Sequence, residues 1–553
     1  MIRLRHRWVA SAVPLVGAAV ALALAPSTAA SGRWTVLGAQ TPRVAPPPPC
    51  RAGPADTALL AAVQRASRRG ATNIAVLEFD SQVMDASRVH LAPAITARVR
   101  SRLASLDGVY VESRGTVERV SSALAGGVDS LLSSLGDQFA IVGDVIPQRD
   151  RIDVTVRIVQ PGVADARWER VFAYPRASVR EVEDAVAEAV AELAGSRAST
   201  SRSSMTDAAY ELVLRGDYFL AAHDAVSADS ARRNYERAAE DDVAAAIPPA
   251  RAARARAAFL ERSDRLDQRL IGEYVLAGMA RVERALRADS TLAEAWTARA
   301  ILLRYRNPAS YAGAVSAHER AVALAPGSAD ARDAYGVTLM RLGRAAAAEQ
   351  QFRRALALEP NRASTLRSLA ELEYMRSRFR ASCALVNASI GADSYDPLAY
   401  ALRARVRMRL GEFRDAFSDA ETAHRLVDSG WGEALQLLVT ANASSVDDAR
   451  LEARRIAAAK LRPGTTMSVQ EGAYLSMALD ALGDRDKAFD ALGRVQPVGA
   501  EFVTALRDPG FNGMRSDPRF RTLASRSSGA SRQPAGPPRG RGVAARLSAA
   551  ARP

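Results

Sequence analysis

Apolar residues follow two different periods along this chain, and the change falls near residue 200. From residue 57 to 196 they come in short runs. NIAVLEFD (73–80) predicts a buried strand, and Leu91, Ile95, Val99 and Leu103, four apart, predict one face of a helix. A second strand is expected at Val109–Glu112, after Asp107-Gly108. QFAIVGDVI (138–146) and RIDVTVRIV (151–159) flank the turn Pro147–Asp150. In the second of these Ile152, Val154, Val156 and Ile158 alternate with polar neighbours, which predicts a hairpin with one buried face. Trp168 and Phe172 mark a third strand after the Pro161-Gly162 turn, and Val182, Val186, Val190 and Leu193 stripe a closing helix.

From Asp207 to about Ser525 the period is helical throughout, and the pattern repeats itself. Pro326 and Pro360, each ending an Ala/Leu-rich helix, are 34 residues apart, and Leu342-Gly343 and Leu410-Gly411 are 68 apart, twice that spacing. This is the tetratricopeptide period, two helices per unit with each unit stacked on the next. Gly336, Ala348 and Ala355 occupy slots where the two helices of a unit must cross closely, Phe352 fills the gap, and Pro360 stops the second helix. One period on these slots hold Ala370, Ser382, Ser389 and Val386; two periods on, Ala404, Ala416, Ala423 and Ala420. Trp296, Ala300, Ala314 and Ala321 mark an earlier unit, with weaker ones at Tyr210/Ala231/Tyr235/Ala238, Gly278/Val282/Ala285 and Gly483/Ala488, so roughly six to eight hairpins are expected. Asp517-Pro518 is a helix start that lets Arg519 to Leu523 seal the last unit. The fold class predicted is α+β multidomain: a small mixed-sheet α/β domain followed by an all-α tetratricopeptide-type solenoid.

The ends are of another kind. Arg3, Arg5 and Arg7 precede an apolar run from Trp8 to Ala25 and the small residues Ser27 to Ala30, the layout of a secretory signal peptide over 1–30, cut after Ala29 or Ala30. The alternative is an uncleaved membrane anchor. A proline-rich linker (31–56), extended and solvated, and a short one at 197–206 bracket the α/β domain (57–196); a disordered basic tail (526–553) follows the array (207–525). The formal charge of +14 sits at those ends, six arginines and no acid in residues 1–55 and again in 526–553, which leaves the body close to neutral and argues against nucleic acid. Two cysteines exclude a disulfide framework; Cys50, without a Leu-small-small lead, is not a lipidation site, and Cys383 reads as a small buried hydrophobe.

The order IAVLEFD, LAPAITARVRSRLASLDGVYVESRGTVERV, LGDQFAIVGDVIPQRDRIDVTVRIVQ and ARWERVFAY resembles the N-terminal α/β domain of the TolB family and its FlgO-like and CsgG-like relatives, over about 125 residues from Asn73 to roughly Gly195. Glu78 stands where family members often carry Pro. The resemblance implies a small mixed sheet flanked by helices, used for contacts in the cell envelope or for sensing. DPGFNGMRSDPRF (508–520) resembles the closing stretch of proteins that pair such a domain with a tetratricopeptide array. Relatives are often fused to a kinase, a cyclase or a DNA-binding domain, and none of those parts is read here.

No phosphate-cradling, nucleophile-elbow or HExxH motif occurs, and the histidines at 6, 90, 223, 318 and 424 are scattered. His318 takes the slot that Phe352 fills one unit later and is expected in the core. No catalytic, cofactor-binding or metal-ligating residue is therefore expected. The candidate site is the concave groove lined by the first helix of each unit: Arg304, Tyr305, Asp333, Met340, Arg341, Arg367, Tyr374, Arg405, Met408 and Arg409. Its five arginines suit a carboxylate or an acidic peptide, although Glu294, Asp330 and Glu371 share the surface. The functional expectation is a non-catalytic exported scaffold, periplasmic or held at the envelope, binding protein or peptide partners. The alternatives are an anchored regulator of a separate kinase, cyclase or transport complex, and an envelope hydrolase whose site would gather Asp80, His90 and Asp144.

Overall fold

The computed structural model describes residues 48–51 and 70–529, apart from 84–87, 89, 105, 107, 113, 124–126, 164, 176–177, 196–204, 264–267, 307–309, 428, 444–446 and 497–499. The predicted leader (1–30), most of the proline-rich stretch and residues 530–553 of the predicted basic tail lie outside the described residues; residues 526–529, expected in that disordered tail, instead continue the last helix.

Six strands form one mixed sheet: β1 (Thr72–Val76), β2 (Asp80–Ser81), β3 (Val109–Val111), β4 (Phe139–Pro147), β5 (Ile152–Val159) and β6 (Trp168–Tyr174). Their order is β3-β1-β4-β5-β6, with β2 pairing β4 beyond the end of β1. β1 is parallel to both β3 and β4, whereas β4-β5-β6 is an antiparallel meander. The predicted single strand at 73–80 is broken. Phe79 turns its N–H to Thr96 Oγ1 (3.1 Å) and lays its ring over Gly143, where a Cβ would sit 2.5 Å from that ring, so the chain leaves β1 and rejoins the sheet as β2.

Two helices, α1 (Leu91–Ala104) and α4 (Val179–Leu193), cover one sheet face. All four apolar positions predicted for α1 are buried there against Ile74, Val76 and the alternating residues of β5. On the other face α2 (Arg114–Ala123) and α3 (Val128–Leu135) bury Val117, Leu131 and Leu132 over Ala75 and Ala140.

Helical hairpins follow. They pair α5 (Asp207–Leu220) with α6 (Ala225–Asp241), α7 (Ile247–Arg262) with α8 (Gln268–Ala288), α9 (Ala293–Arg306) with α10 (Tyr311–Leu324), and α11 (Ala329–Arg341) with α12 (Ala345–Leu358). Next come α13 (Ala363–Met375) with α14 (Phe379–Ala392), α15 (Pro397–Leu410) with α16 (Phe413–Leu426), α17 (Gly430–Ala443) with α18 (Asp447–Lys460), and α19 (Val469–Ala481) with α20 (Arg485–Gly493). The short α21 (Ala500–Ala505), a 3-10 turn at Pro509–Phe511 and α22 (Pro518–Gly529) close the array.

Close crossing explains the small residues. A Cβ on Gly336 would lie 2.5 Å from the Phe352 ring, one on Gly216 would lie 2.3 Å from Tyr235, and one on Gly278 would lie 2.7 Å from Leu302. Where a hairpin carries serine in such slots, backbone satisfies the hydroxyl: Ser382 donates to the Ala370 carbonyl at 2.7 Å and Ser389 to that of Ala363 at 2.9 Å.

Sheet domain and array share a core. Met205 is buried, Thr206 caps α5, and one apolar cluster runs from Ile74 through Val190 into Tyr210, Tyr235 and Ala255. Arg98 of α1 reaches both Glu183 of α4 and Tyr210 of α5. Further along, Asn361 donates to Tyr110 Oη (2.6 Å), α2 packs on α14, and His223 meets Asp393 at 2.8 Å.

Candidate functional site

Four of the ten groove residues, Tyr305, Arg341, Tyr374 and Arg405, meet at the chain's own segment 501–510. Tyr305 of α9 donates to Glu501 Oε1 at 3.3 Å. From α11, the Arg341 carbonyl accepts from Thr504 Oγ1 at 3.4 Å. Tyr374 of α13 donates to Asp508 Oδ1 at 3.0 Å, and Arg405 of α15 donates to Asp508 Oδ2 at 2.8 Å. First helices of four successive hairpins thus reach one short stretch.

Apolar burial fixes the segment there. Phe502, Leu506, Phe511 and Met514 all join the C-terminal core cluster with Tyr374, Tyr474 and Met477. At about 1.5–3 kcal/mol for each fully buried large side chain, this anchorage exceeds the roughly 8 kcal/mol of a micromolar partner at its upper end and approaches it at its lower. Sequence reasoning read 508–520 only as a closing stretch. The alternation of Phe502, Leu506, Asp508-Pro509 and Phe511 carries no sign of where it docks.

The remaining groove residues are mostly committed to neighbours. Arg304 is buried on Glu261. Burial alone would lower its pKa, but the adjacent Glu261 carboxylate raises it. Asp333 accepts from Ser364 Oγ at 2.9 Å, with Arg362 at 3.9 Å, and burial pushes its carboxyl up. Arg367 donates to Asp396 at 2.7 Å, and Asp396 also caps α15. Met340 lies in the α11–α13 core and Met408 packs against the C-terminal one. Arg409 alone of the ten is exposed, its guanidinium near Gly510. Arg405, desolvated like Arg304, is raised by Tyr474 and Asp508, and the Tyr374 hydroxyl is raised by burial and by Asp508.

This pairing extends up the array: Arg251 joins Asp217 to Glu294, Arg254 and Arg304 share Glu261, and Arg362 reaches Asp330. The inner face is a ladder of alternating charge, in which acids within the chain answer the arginines.

Of the residues that a hydrolytic site would need, Asp80 lies opposite Asp144 on the paired strands β2 and β4, Asp144 is ion-paired with Arg157, and the His90 ring faces Tyr218 of α5 at 6.2 Å. Among the described residues no group of three or more His, Cys, Asp or Glu is placed to hold a metal ion. His318 is fully buried, its Nε2 2.9 Å from Thr338 Oγ1 and its ring stacked on Tyr335; burial lowers its pKa to about 3.

No family model matches the chain, and no curated protein does. Solved structures similar to it include the Cut9–Hcn1 assembly of the APC/C (12% identity, 63% of this chain and 59% of that one, TM-score 0.42). Yeast Tom70 is similar over 80% of this chain and 85% of its own (13% identity, TM-score 0.35), and Pseudomonas aeruginosa PilF over 37% and 92% (18% identity, TM-score 0.31). At TM-scores below 0.5 these likenesses carry nothing about partners. The assignment to a tetratricopeptide-type solenoid rests on the hairpins, their period and their small-residue crossings.

Two sequence expectations are corrected outright. Cys383 is not a lone buried thiol, and residues 31–56 are not solvated throughout: Cys50 and Cys383, 333 positions apart, form a disulfide, and both are buried.

Proposed function

We propose that this protein is a non-catalytic scaffold, exported to the periplasm or cell envelope, which holds protein partners on its repeat array and on its sheet domain. The observation that carries this reading is the stack of hairpins, the first of which share a core with the sheet domain, presenting a repeat surface whose inner charges are mostly paired within the chain. The Cys50–Cys383 bond supports export, because disulfides persist in oxidising compartments. Among the described residues no helix is long and apolar enough to cross a membrane. The mixed sheet with helices on both faces is what resemblance to the TolB N-terminal domain implies, and 57–196 and 207–525 are taken as the two domains.

The groove proposal narrows accordingly. Tyr305, Arg341, Tyr374 and Arg405 seat the chain's own segment, while Arg409, which also hydrogen-bonds Tyr374, is the exposed cation at its edge that meets a partner's acid.

Cell fractionation with N-terminal sequencing tests export: a new N-terminus near Ala30 in the periplasm, or an intact Met1 in the membrane pellet, is expected. Full-length chain in the cytosol with both thiols free overturns it. For the partner, a photo-crosslinking residue at Arg409 should trap a discrete adduct in envelope preparations that the same residue at exposed Arg353 does not. Identical adduct patterns at the two positions sink the assignment.

A further inference from the structure

Residues 48–51 lie in a bed formed by three helices of the array. Asn387, one turn beyond Cys383 on α14, pairs with both main-chain groups of Cys50: its Nδ2 donates to the Cys50 carbonyl at 3.0 Å and its Oδ1 accepts from the Cys50 N–H at 3.2 Å. Arg407 of α15 donates to the Pro48 carbonyl. Behind them Asp419 of α16 accepts from Arg403 at 2.7 Å and from Arg407, and Arg403 steadies Asn387 Oδ1 at 3.3 Å. Both Arg407 and Asp419 have side chains 0% exposed.

Those contacts read main chain, not side chains. A two-point amide pairing and a guanidinium on a carbonyl select an extended backbone, which proline at 46–49 pre-sets at low entropic cost. The bed is also incomplete without its occupant. With residues 48–51 in place Arg407 is wholly buried, and the Pro48 carbonyl joins Asp419 and the Asp415 carbonyl as its hydrogen-bond acceptors, with the Glu412 carboxylate at 3.8 Å.

We propose that α14, α15 and α16 form a binding site for an extended, proline-led peptide, occupied by the chain's own residues 48–51, and that the bond to Cys383 makes this occupancy permanent. Docking by Asn387 and Arg407 comes first and brings the two sulfurs together. Closure then removes two thiol protons and two electrons from Cys50 and Cys383, and a disulfide-bearing oxidant takes them up and leaves as two thiols. Because both cysteines are buried, a reductant reaches the sulfurs only after the strap has lifted, so the bond is a one-time closure and not a switch. The strap and α2 of the sheet domain share α14 as their support, so closure fixes the N-terminal part of the chain on the array. The peptide site does not depend on the proposed export; only the compartment of closure does.

Purified full-length chain supplies the test. Reduced, refolded protein is oxidised with glutathione disulfide, quenched by alkylation, and mapped by mass spectrometry for the linked Cys50–Cys383 peptide. Asn387→Ala, with both cysteines kept, should slow closure about tenfold, the effect expected of two lost main-chain hydrogen bonds. Asn387→Asp, which keeps the shape and loses the donor, should also slow it and guards against a folding defect in the alanine variant. Closure by both variants at the parent rate overturns the peptide site, as does parent protein that folds with both thiols alkylatable under oxidising conditions. Cytosolic retention of the chain in cells, with normal closure in vitro, would count against export alone.

Discussion

Arg405 Nη1 donates to Asp508 Oδ2 at 2.8 Å across 103 positions of sequence, with both side chains nearly out of solvent. The pair joins the sixth hairpin to the segment that fills the groove, and Tyr374 supplies the second hydrogen bond to the same carboxylate. Removing Asp508 leaves a buried guanidinium without its counter-charge, a change that costs about 3–5 kcal/mol when a buried pair is broken from one side. Asp508→Ala should therefore lower stability by that order in urea unfolding and raise protease cutting around 497–515. A loss under about 0.5 kcal/mol, the usual range for surface changes, would mean that the segment is not held as described.

Gly336 gives a cleaner test of the helix crossing. In an open helix, Gly→Ala stabilises by up to about 1 kcal/mol. Here the new methyl would meet the Phe352 ring at 2.5 Å, and the ring is fully buried, so Gly336→Ala should instead destabilise by about 1–3 kcal/mol. Adding Phe352→Leu should recover part of the Gly336→Ala loss relative to Phe352→Leu alone. A stabilising single mutant would show that the hairpin has room at this crossing.

His318 makes the array acid-sensitive. Burial, with Arg304 adding to it, holds the folded pKa down to about 3, whereas an unfolded histidine titrates near 6.5. Between those values the unfolded state binds the extra proton, so stability rises with pH, and it falls on acidification by up to about 1.4 kcal/mol per pH unit. His318→Phe puts into this slot the residue type that the next hairpin uses at Phe352. Urea unfolding at pH 7 and pH 5 should show the variant losing about 2 kcal/mol less than the parent over that interval. Equal losses would place the proton elsewhere.

The periodic features of this fold were all readable from local sequence. Leu91, Ile95, Val99 and Leu103 line one helix face, Ile152 to Ile158 one strand face, and the 34-residue spacing sets the hairpins, because each signal arises between residues a few positions apart. Tertiary structure alone decided what lies in the groove and what becomes of Cys50. Tyr374 and Asp508 are separated by 134 residues, and Cys50 and Asn387 by 337. Contacts of that separation leave no period: a lone Asp before Pro, or a Cys after four prolines, looks the same whether it is solvated or buried. Of the five arginines counted in sequence as open cations, Arg304, Arg367 and Arg405 are answered by Glu261, Asp396 and Asp508, and for the same reason sequence did not mark them out.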